Sequence, residues 1–207
     1  QIVTPSPDRV KPDCPVFQQC GGCAWRHITY EAECRLKEKT VADALSRIGH
    51  LTITPQPILA AGETDGYRNK AQFPVGEDKD GNIVIGFYAG RTHHIVEQTD
   101  CCIGAPENGE VLRKVKAYMQ KNQIRPYNEE HHSGIVRHIL IRTGYHTKEI
   151  MVCLIVNAAK ASCLKNAEQL TESLREMDGM TSVMVNFNTE KTNVILGKKS
   201  EVLWGQP

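Results

Sequence analysis

Hydrophobic positions change their period along the chain, and each change marks an element. From Glu31 to Ile48 the apolar residues Leu36, Val41, Leu45 and Ile48 fall on one side at helical spacing, and Gly49 is placed to end the helix. From Tyr67 onward the pattern becomes strand-like. Tyr67 to Val75 and Ile83 to Tyr88 flank the turn-rich stretch Gly76-Glu77-Asp78-Lys79-Asp80-Gly81-Asn82, which predicts a hairpin, and His93 to Gln98 predicts a third strand. Glu110 to Asn122 returns to the helical period, with Val111, Leu112, Val115, Tyr118 and Met119 inward and Pro126 beyond its end. Val136 to Thr143 and Glu149 to Asn157 predict a second hairpin around Gly144-Tyr145-His146-Thr147. Ser162 is the predicted cap of a helix lined by Leu164, Ala167, Leu170 and Leu174. Ser182 to Phe187, Asn193 to Leu196 and Glu201 to Trp204 read as short closing strands. Hairpin-paired strands with helices between the pairs predict an α+β fold: a largely antiparallel sheet with flanking helices, preceded by a cysteine-rich loop and one amphipathic helix.

The same pattern divides the chain. Residues 1–13 are polar and proline-rich and read as a linker, 14–30 as a cysteine-organised loop, 31–66 as a helix and linker with Pro55 and Pro57, and 67–207 as the central α+β domain. A length of 207 residues, with 40% hydrophobic and 24% charged residues, is enough for a buried core and excludes a disordered chain. No apolar run approaches the roughly 20 residues of a membrane-spanning helix, and no secretory signal pattern opens the sequence. Lys+Arg 25 against Asp+Glu 24 excludes a globally basic nucleic-acid binder and leaves room for one basic face. The chain starts on Gln1 and stops at Gln206-Pro207 just after a strand-like run, so it reads as a piece of a longer protein.

Chemistry concentrates in the eight cysteines, at positions 14, 20, 23, 34, 101, 102, 153 and 163. A tight triplet and an adjacent pair, in a chain with no signal peptide, point to an intracellular protein that uses thiolates as metal ligands. The triplet has the spacing C-x5-C-x2-C, with Gly21-Gly22 in the short gap where a backbone must turn tightly to bring thiolates together. A fourth ligand must come from elsewhere, and Cys34, Cys101 and Cys102 are the candidates. The spacing suits a zinc ion or an iron–sulfur cluster. Cys34, Cys153 and Cys163 sit in helical or apolar surroundings and read as core or surface thiols.

The run Cys14-Pro-Val-Phe-Gln-Gln-Cys20-Gly-Gly-Cys23-Ala-Trp-Arg-His27-Ile-Thr-Tyr30 closely resembles the cluster segment of the RNA (uracil-5-)-methyltransferases, which make 5-methyluridine in 23S rRNA and tRNA. Tyr67-Arg-Asn-Lys-Ala-Gln-Phe-Pro74, Gly86-Phe-Tyr88, His94-Ile-Val96, Gly134-Ile-Val-Arg-His138 and Thr192-Asn-Val-Ile-Leu-Gly197 are similar to that family in the same order. The resemblance implies a 4Fe–4S cluster held by Cys14, Cys20, Cys23 and Cys101, with Cys102 a neighbour. It also implies a cytoplasmic enzyme that uses S-adenosylmethionine. Its RNA partner would be 23S rRNA ahead of tRNA, and its catalytic domain would follow the Asn-Val-Ile-Leu-Gly segment. A small β-barrel RNA-binding domain commonly precedes the cluster, and residues 1–13 would be its exit. The present sequence has no glycine fingerprint for a methyl-donor site and no alternating strand–helix series. The 207 residues are therefore expected to be inert alone, with no catalytic residue among them.

An enzyme that modifies a base must anchor phosphates and take the nucleotide out of its stack. The candidate RNA contacts are Arg68, Lys70, Phe73 and Arg91, with Arg137 and His138 on another strand and Trp25, Arg26 and His27 beside the cysteines. Phe73, at an odd offset from Arg68 and Lys70, is expected on the opposite strand face. The charges Arg113, Lys114, Lys116 and Lys121 read as a solvated helix face, and His131-His132 as an exposed polar loop. Two other classes stay open: a free-standing zinc-dependent nucleic-acid module, and a ferredoxin-type electron carrier. The single cluster motif, the distant fourth ligand and the large appended domain weigh against the carrier.

Overall fold

The computed structural model describes residues 2–207. Its centre is a seven-stranded sheet in the order β3-β2-β1-β4-β5-β6-β7. The strands are β1 (Lys70–Glu77), β2 (Ile83–Tyr88), β3 (Ile95–Glu97), β4 (Val136–Thr143), β5 (Ile150–Val156), β6 (Met180–Phe187) and β7 (Lys199–Gly205). Every neighbouring pair is antiparallel except β5 and β6, which run parallel because helix α3 (Ala167–Arg175) carries the chain between them. Helix α2 (Asn108–Lys121) joins β3 to β4. The fold is α+β, as the alternation of hairpins and helices predicts.

The core lies between one face of the sheet and helices α2 and α3. Ile139 and Ile141 of β4 stand opposite Leu154 and Val152 of β5, which in turn face Val185 and Val183 of β6. Against this row pack Val111, Leu112, Val115 and Met119 of α2 and Leu170 and Leu174 of α3, all fully buried. Each such side chain contributes about 1.5–3 kcal/mol of transfer free energy, so the helix-to-sheet layer dominates stability. All five residues predicted inward on α2 are buried, together with Asn108 and Gly109 in its first turn.

The other sheet face is thinly covered. Leu140, Cys153 and Ile155 form a small second cluster, joined by Met151, Met184 and Ile195. Further out on the same face Lys70 stands directly opposite Arg142, and both are exposed.

Four local expectations change. Helix α1 (Tyr30–Asp43), continued by a π-helical turn at Ala44–Ile48, buries only Ala32. Its expected apolar stripe faces outward, Ile48 being 81% exposed. Ser162 does not cap a helix. It sits in a 3₁₀ turn (Ala161–Cys163), and α3 begins later, after Asn166, which adopts a left-handed conformation and donates its side-chain amide to Asn122 Oδ1 at 2.7 Å. Asn193 to Leu196 forms no strand, because side chains satisfy its backbone. Asn188 Nδ2 donates to Val194 O and Ile195 O at 2.7 and 2.9 Å, and Asn186 Oδ1 accepts from the Gly197 amide at 2.7 Å. Strand β1 starts at Lys70, while Arg68 pairs with the segment after β3, its amide donating to Ile103 O at 2.9 Å. No helix among the described residues is long and apolar enough to cross a membrane.

Candidate functional site

Two distant segments meet at the end of β2. The first, residues 14–29, is a succession of turns closed by bonds such as Cys20 N–H to Val16 O at 2.8 Å. It is pinned to the sheet by the bridge between Cys20 and Ala89 and by the Gly21 amide, which donates to Tyr88 O at 3.1 Å. A Cβ at Gly21 would stand 3.1 Å from both Gly90 Cα and Tyr88 O, a tight fit against backbone that favours glycine here. The second segment, residues 99–105, turns at Cys101 O, which accepts from the Gly104 amide at 2.9 Å, and Cys102 O accepts from Gly66.

Between them is a narrow cavity of about 20 Å³. Cys14, Cys20, Cys23, Cys101 and Cys102 all line it, together with Arg68, Gln98 and the apolar Val16, Phe17, Phe87 and Ile103. The four cysteines that the family resemblance selects are thus brought together, and Cys102 with them. Cys34, Cys153 and Cys163 are not in its lining.

The thiols are free and, in this cavity, half-buried. Burial pushes the Cys23 thiol up, the neighbouring Cys101 and Cys20 push it further, and Arg26 and Arg68 pull it back. Burial likewise pushes Cys102 up to about 11, against the pull of Arg26. Such thiols ionise readily only when a cation takes the proton's place. A soft, sulfur-only donor set, apolar walls and two nearby arginines suit a negatively charged thiolate–metal group in kind. Among the described residues no group of three or more His, Cys, Asp or Glu side chains is arranged to hold a metal ion.

The expected RNA contacts divide into free and committed groups. Arg68 is half-buried at the cysteine cavity, while Lys70 and Arg91 are exposed. Trp25 lies in a groove of about 580 Å³ that shares Gly22, Cys23 and Ile103 with the cysteine cavity and is walled by Tyr30, Lys37 and Tyr67. His27 is half-buried beside Phe17, their rings 5.7 Å apart.

Three residues have structural occupations that sequence reasoning missed. Arg26 is clasped by Asp13, with Nε to Oδ1 at 2.8 Å, and by Asp65, with Nη1 to Oδ1 at 2.8 Å. Phe73 is wholly buried against Phe87 (ring centroids 4.9 Å apart), so it lies in the core and not on a surface an RNA could touch. Arg137, 5% exposed, donates to Asn188 O, Glu190 O and Thr192 O and lies 4.4 Å from the Tyr127 ring centroid. Its charge holds the 188–192 segment in place.

His138 belongs to another cavity. A register shift between Val136 and His138 inserts Arg137 as an extra residue in β4, and both polar side chains are thereby buried. His138 lines a space of about 360 Å³ with Tyr88, His93, Tyr127 and Glu129, contributed by three separate segments. No sequence motif marks this grouping; only the bulge creates it.

No family model matches the chain. It is 43% identical over 207 residues to an uncharacterized RNA methyltransferase of Halalkalibacterium halodurans, covering 99% of this chain and 44% of the relative. A protein of the same description from Clostridium tetani is 38% identical over 206 residues, with 99% and 44% covered. The chain is thus kin, over nearly its whole length, to proteins named RNA methyltransferases, and it spans 44% of the length of these curated relatives. Among solved structures it is similar to the Pyrococcus abyssi tRNA (uracil-54, C5)-methyltransferase in complex with S-adenosyl-L-homocysteine. The TM-score is 0.72, with 24% sequence identity, over 100% of this chain and 44% of that one. That likeness shows a shared fold.

Proposed function

We propose that these 207 residues are the cluster-holding and RNA-binding portion of an S-adenosylmethionine-dependent RNA (uracil-C5) methyltransferase of the cytoplasm. The observation that carries the reading is the gathering of Cys14, Cys20, Cys23 and Cys101 on one apolar cavity, from segments far apart in sequence. Kinship with proteins named RNA methyltransferases supports the reaction class. The S-adenosylhomocysteine bound to the structural neighbour supports the methyl donor.

In this reading the four cysteines hold a 4Fe–4S cluster, which when bound supplies rigid cross-linking of the two segments. Arg26 and Arg68 balance its charge, Arg26 while clasped to Asp13 and Asp65. The adjoining groove offers Trp25 and Tyr67 as stacking surfaces and Lys37 as a phosphate contact, the combination that single-stranded RNA needs. Arg68, Lys70 and Arg91 extend the anchoring. Uracil methylation further needs a thiolate to attack C6, the methyl donor and a base for the C5 proton. Those parts lie outside these residues, and none of the eight cysteines is assigned as nucleophile.

Both RNA classes should be offered to the protein. The relatives' names specify no class and the structural neighbour is named for tRNA, so the rank of 23S rRNA over tRNA rests on the sequence resemblance alone. The test is fluorescence anisotropy with uridine-containing rRNA and tRNA stem-loops, alongside transfer of labelled methyl from S-adenosylmethionine. The expected result is salt-dependent binding without methylation. Methylation by the 207 residues, or no RNA affinity with the cluster loaded, would contradict the proposal.

A further inference from the structure

The cavity beside the β4 bulge has the makings of a second recognition site. His138 is 8% exposed, and neither of its ring nitrogens has a hydrogen-bond partner among the described residues; Nδ1 is sealed from solvent. A sealed N–H without an acceptor is the rarer arrangement, which assigns the ring proton to Nε2, the unsealed nitrogen of a ring that lines the cavity. Burial, with Arg137 adjacent, pushes His138 down to about 4, so at neutral pH it is an uncharged donor. The same lining includes Tyr88 and His93, whose rings stack on each other with centroids 5.3 Å and planes 29° apart. His93 Nδ1 is 2.6 Å from Glu129 Oε2.

The rim decides what enters. Its carboxylates are Glu77, Asp78, Glu129 and Glu130. Asp78 is occupied by Asn82 and by the Asp80 amide, and Glu77 lies 3.8 Å from Arg125. Glu130 and one oxygen of Glu129 remain as acceptors. Among the described lining residues the only cation besides histidine is Arg137, whose guanidinium is spent on three carbonyls, and Arg125 at the rim is turned to Glu77, so a phosphate would meet net negative charge. A cationic ligand would find the Tyr127 face already taken by Arg137. An uncharged planar ring with an acceptor for His138 and N–H donors for the glutamates meets each feature.

We propose that this cavity takes an unpaired RNA base, stacked against the Tyr88–His93 ring pair and accepting a hydrogen bond from His138. The site is a subsite separate from the cysteine cavity and its groove, and the inference rests on the RNA-binding reading above. The base would be held by its ring and edge while its phosphates stay outside the acidic rim.

The test is amide NMR of the 207-residue chain titrated with guanosine and with uridine, with spermidine as a cationic control. Saturable millimolar shifts at Tyr88, Glu129 and His138 are expected from at least one nucleoside, and none there from spermidine. His138→Gln, which keeps an N–H donor, should bind within about threefold of the parent, while His138→Leu should lose at least tenfold. Loss in both variants would assign the effect to packing and overturn the proposal. So would absence of nucleoside shifts, or spermidine shifts at the same amides. A chain that binds RNA with salt dependence yet shows no nucleoside shifts loses only this subsite. One that binds neither loses the RNA reading itself.

Discussion

Cys23 and Cys101 lie far apart in sequence and face the same narrow cavity, each near enough that the charge of Cys101 helps raise the Cys23 thiol. In the proposed reading the segment after β3 supplies the partner that the N-terminal triplet lacks. Cys102 lines the cavity as well, so the choice between neighbours is an experimental one. Cys101→Ser should lower bound iron severely, as should Cys20→Ser. Cys102→Ser should leave it near the parent value, measured by metal analysis after anaerobic reconstitution. Equal losses at 101 and 102 would transfer the ligand role or divide it.

Arg137 carries a structural load. Truncation to alanine leaves three carbonyls without their charged donor and removes the contact with Tyr127. A loss of about 3 kcal/mol is expected from the unfolding midpoint in urea. The salt dependence of RNA binding should not change, because the guanidinium does not face solvent.

His138 gives a pH signature. Its folded pKa is depressed to about 4 by burial first and Arg137 second, with Glu129 opposing, while the unfolded chain titrates near 6.5. Below pH 6.5 the unfolded state binds the extra proton, so stability falls as pH drops from 6.5 towards 4, by up to about 3 kcal/mol. His138→Leu should flatten that part of the profile and, by removing an unsatisfied nitrogen, match or exceed the parent's stability at pH 7. Thermal melts at stepped pH decide it.

Lys70 and Arg142 are exposed cross-strand partners on the thinly covered sheet face. If RNA passes over that face, each alanine substitution should reduce the slope of log affinity against log salt by about one. Arg113→Ala should leave the slope unchanged, since its guanidinium is paired with Asp100 at 3.0 Å.

Strong periodicity made α2 and the four strands of the two hairpins legible in sequence, because each buries one face against a single continuous core. The stripe on α1 misled: helical spacing reports a face, not what covers it, and the described residues leave Leu36, Val41 and Ile48 exposed. Asn193 to Leu196 read as a strand by composition, yet asparagine side chains from Asn186 and Asn188 satisfy its backbone, a tertiary effect no local pattern records. The cysteine grouping was legible through spacing and resemblance together. Arg26, Arg137 and Phe73 were legible as residue types suited to RNA but not as residues already in use. The base-sized cavity was not legible at all, since it depends on one extra residue in β4.

The central claim is that the cysteine cavity holds an iron–sulfur cluster. Anaerobic reconstitution of the 207-residue chain with iron and sulfide, followed by visible absorbance and iron and sulfide analysis, tests it most directly. The account predicts a brown protein with a broad band at about 400 nm and about four irons per chain, lost together on Cys14→Ser, Cys20→Ser or Cys23→Ser. A colourless protein that instead binds one zinc ion at the same cysteines, or no metal at all, would contradict it.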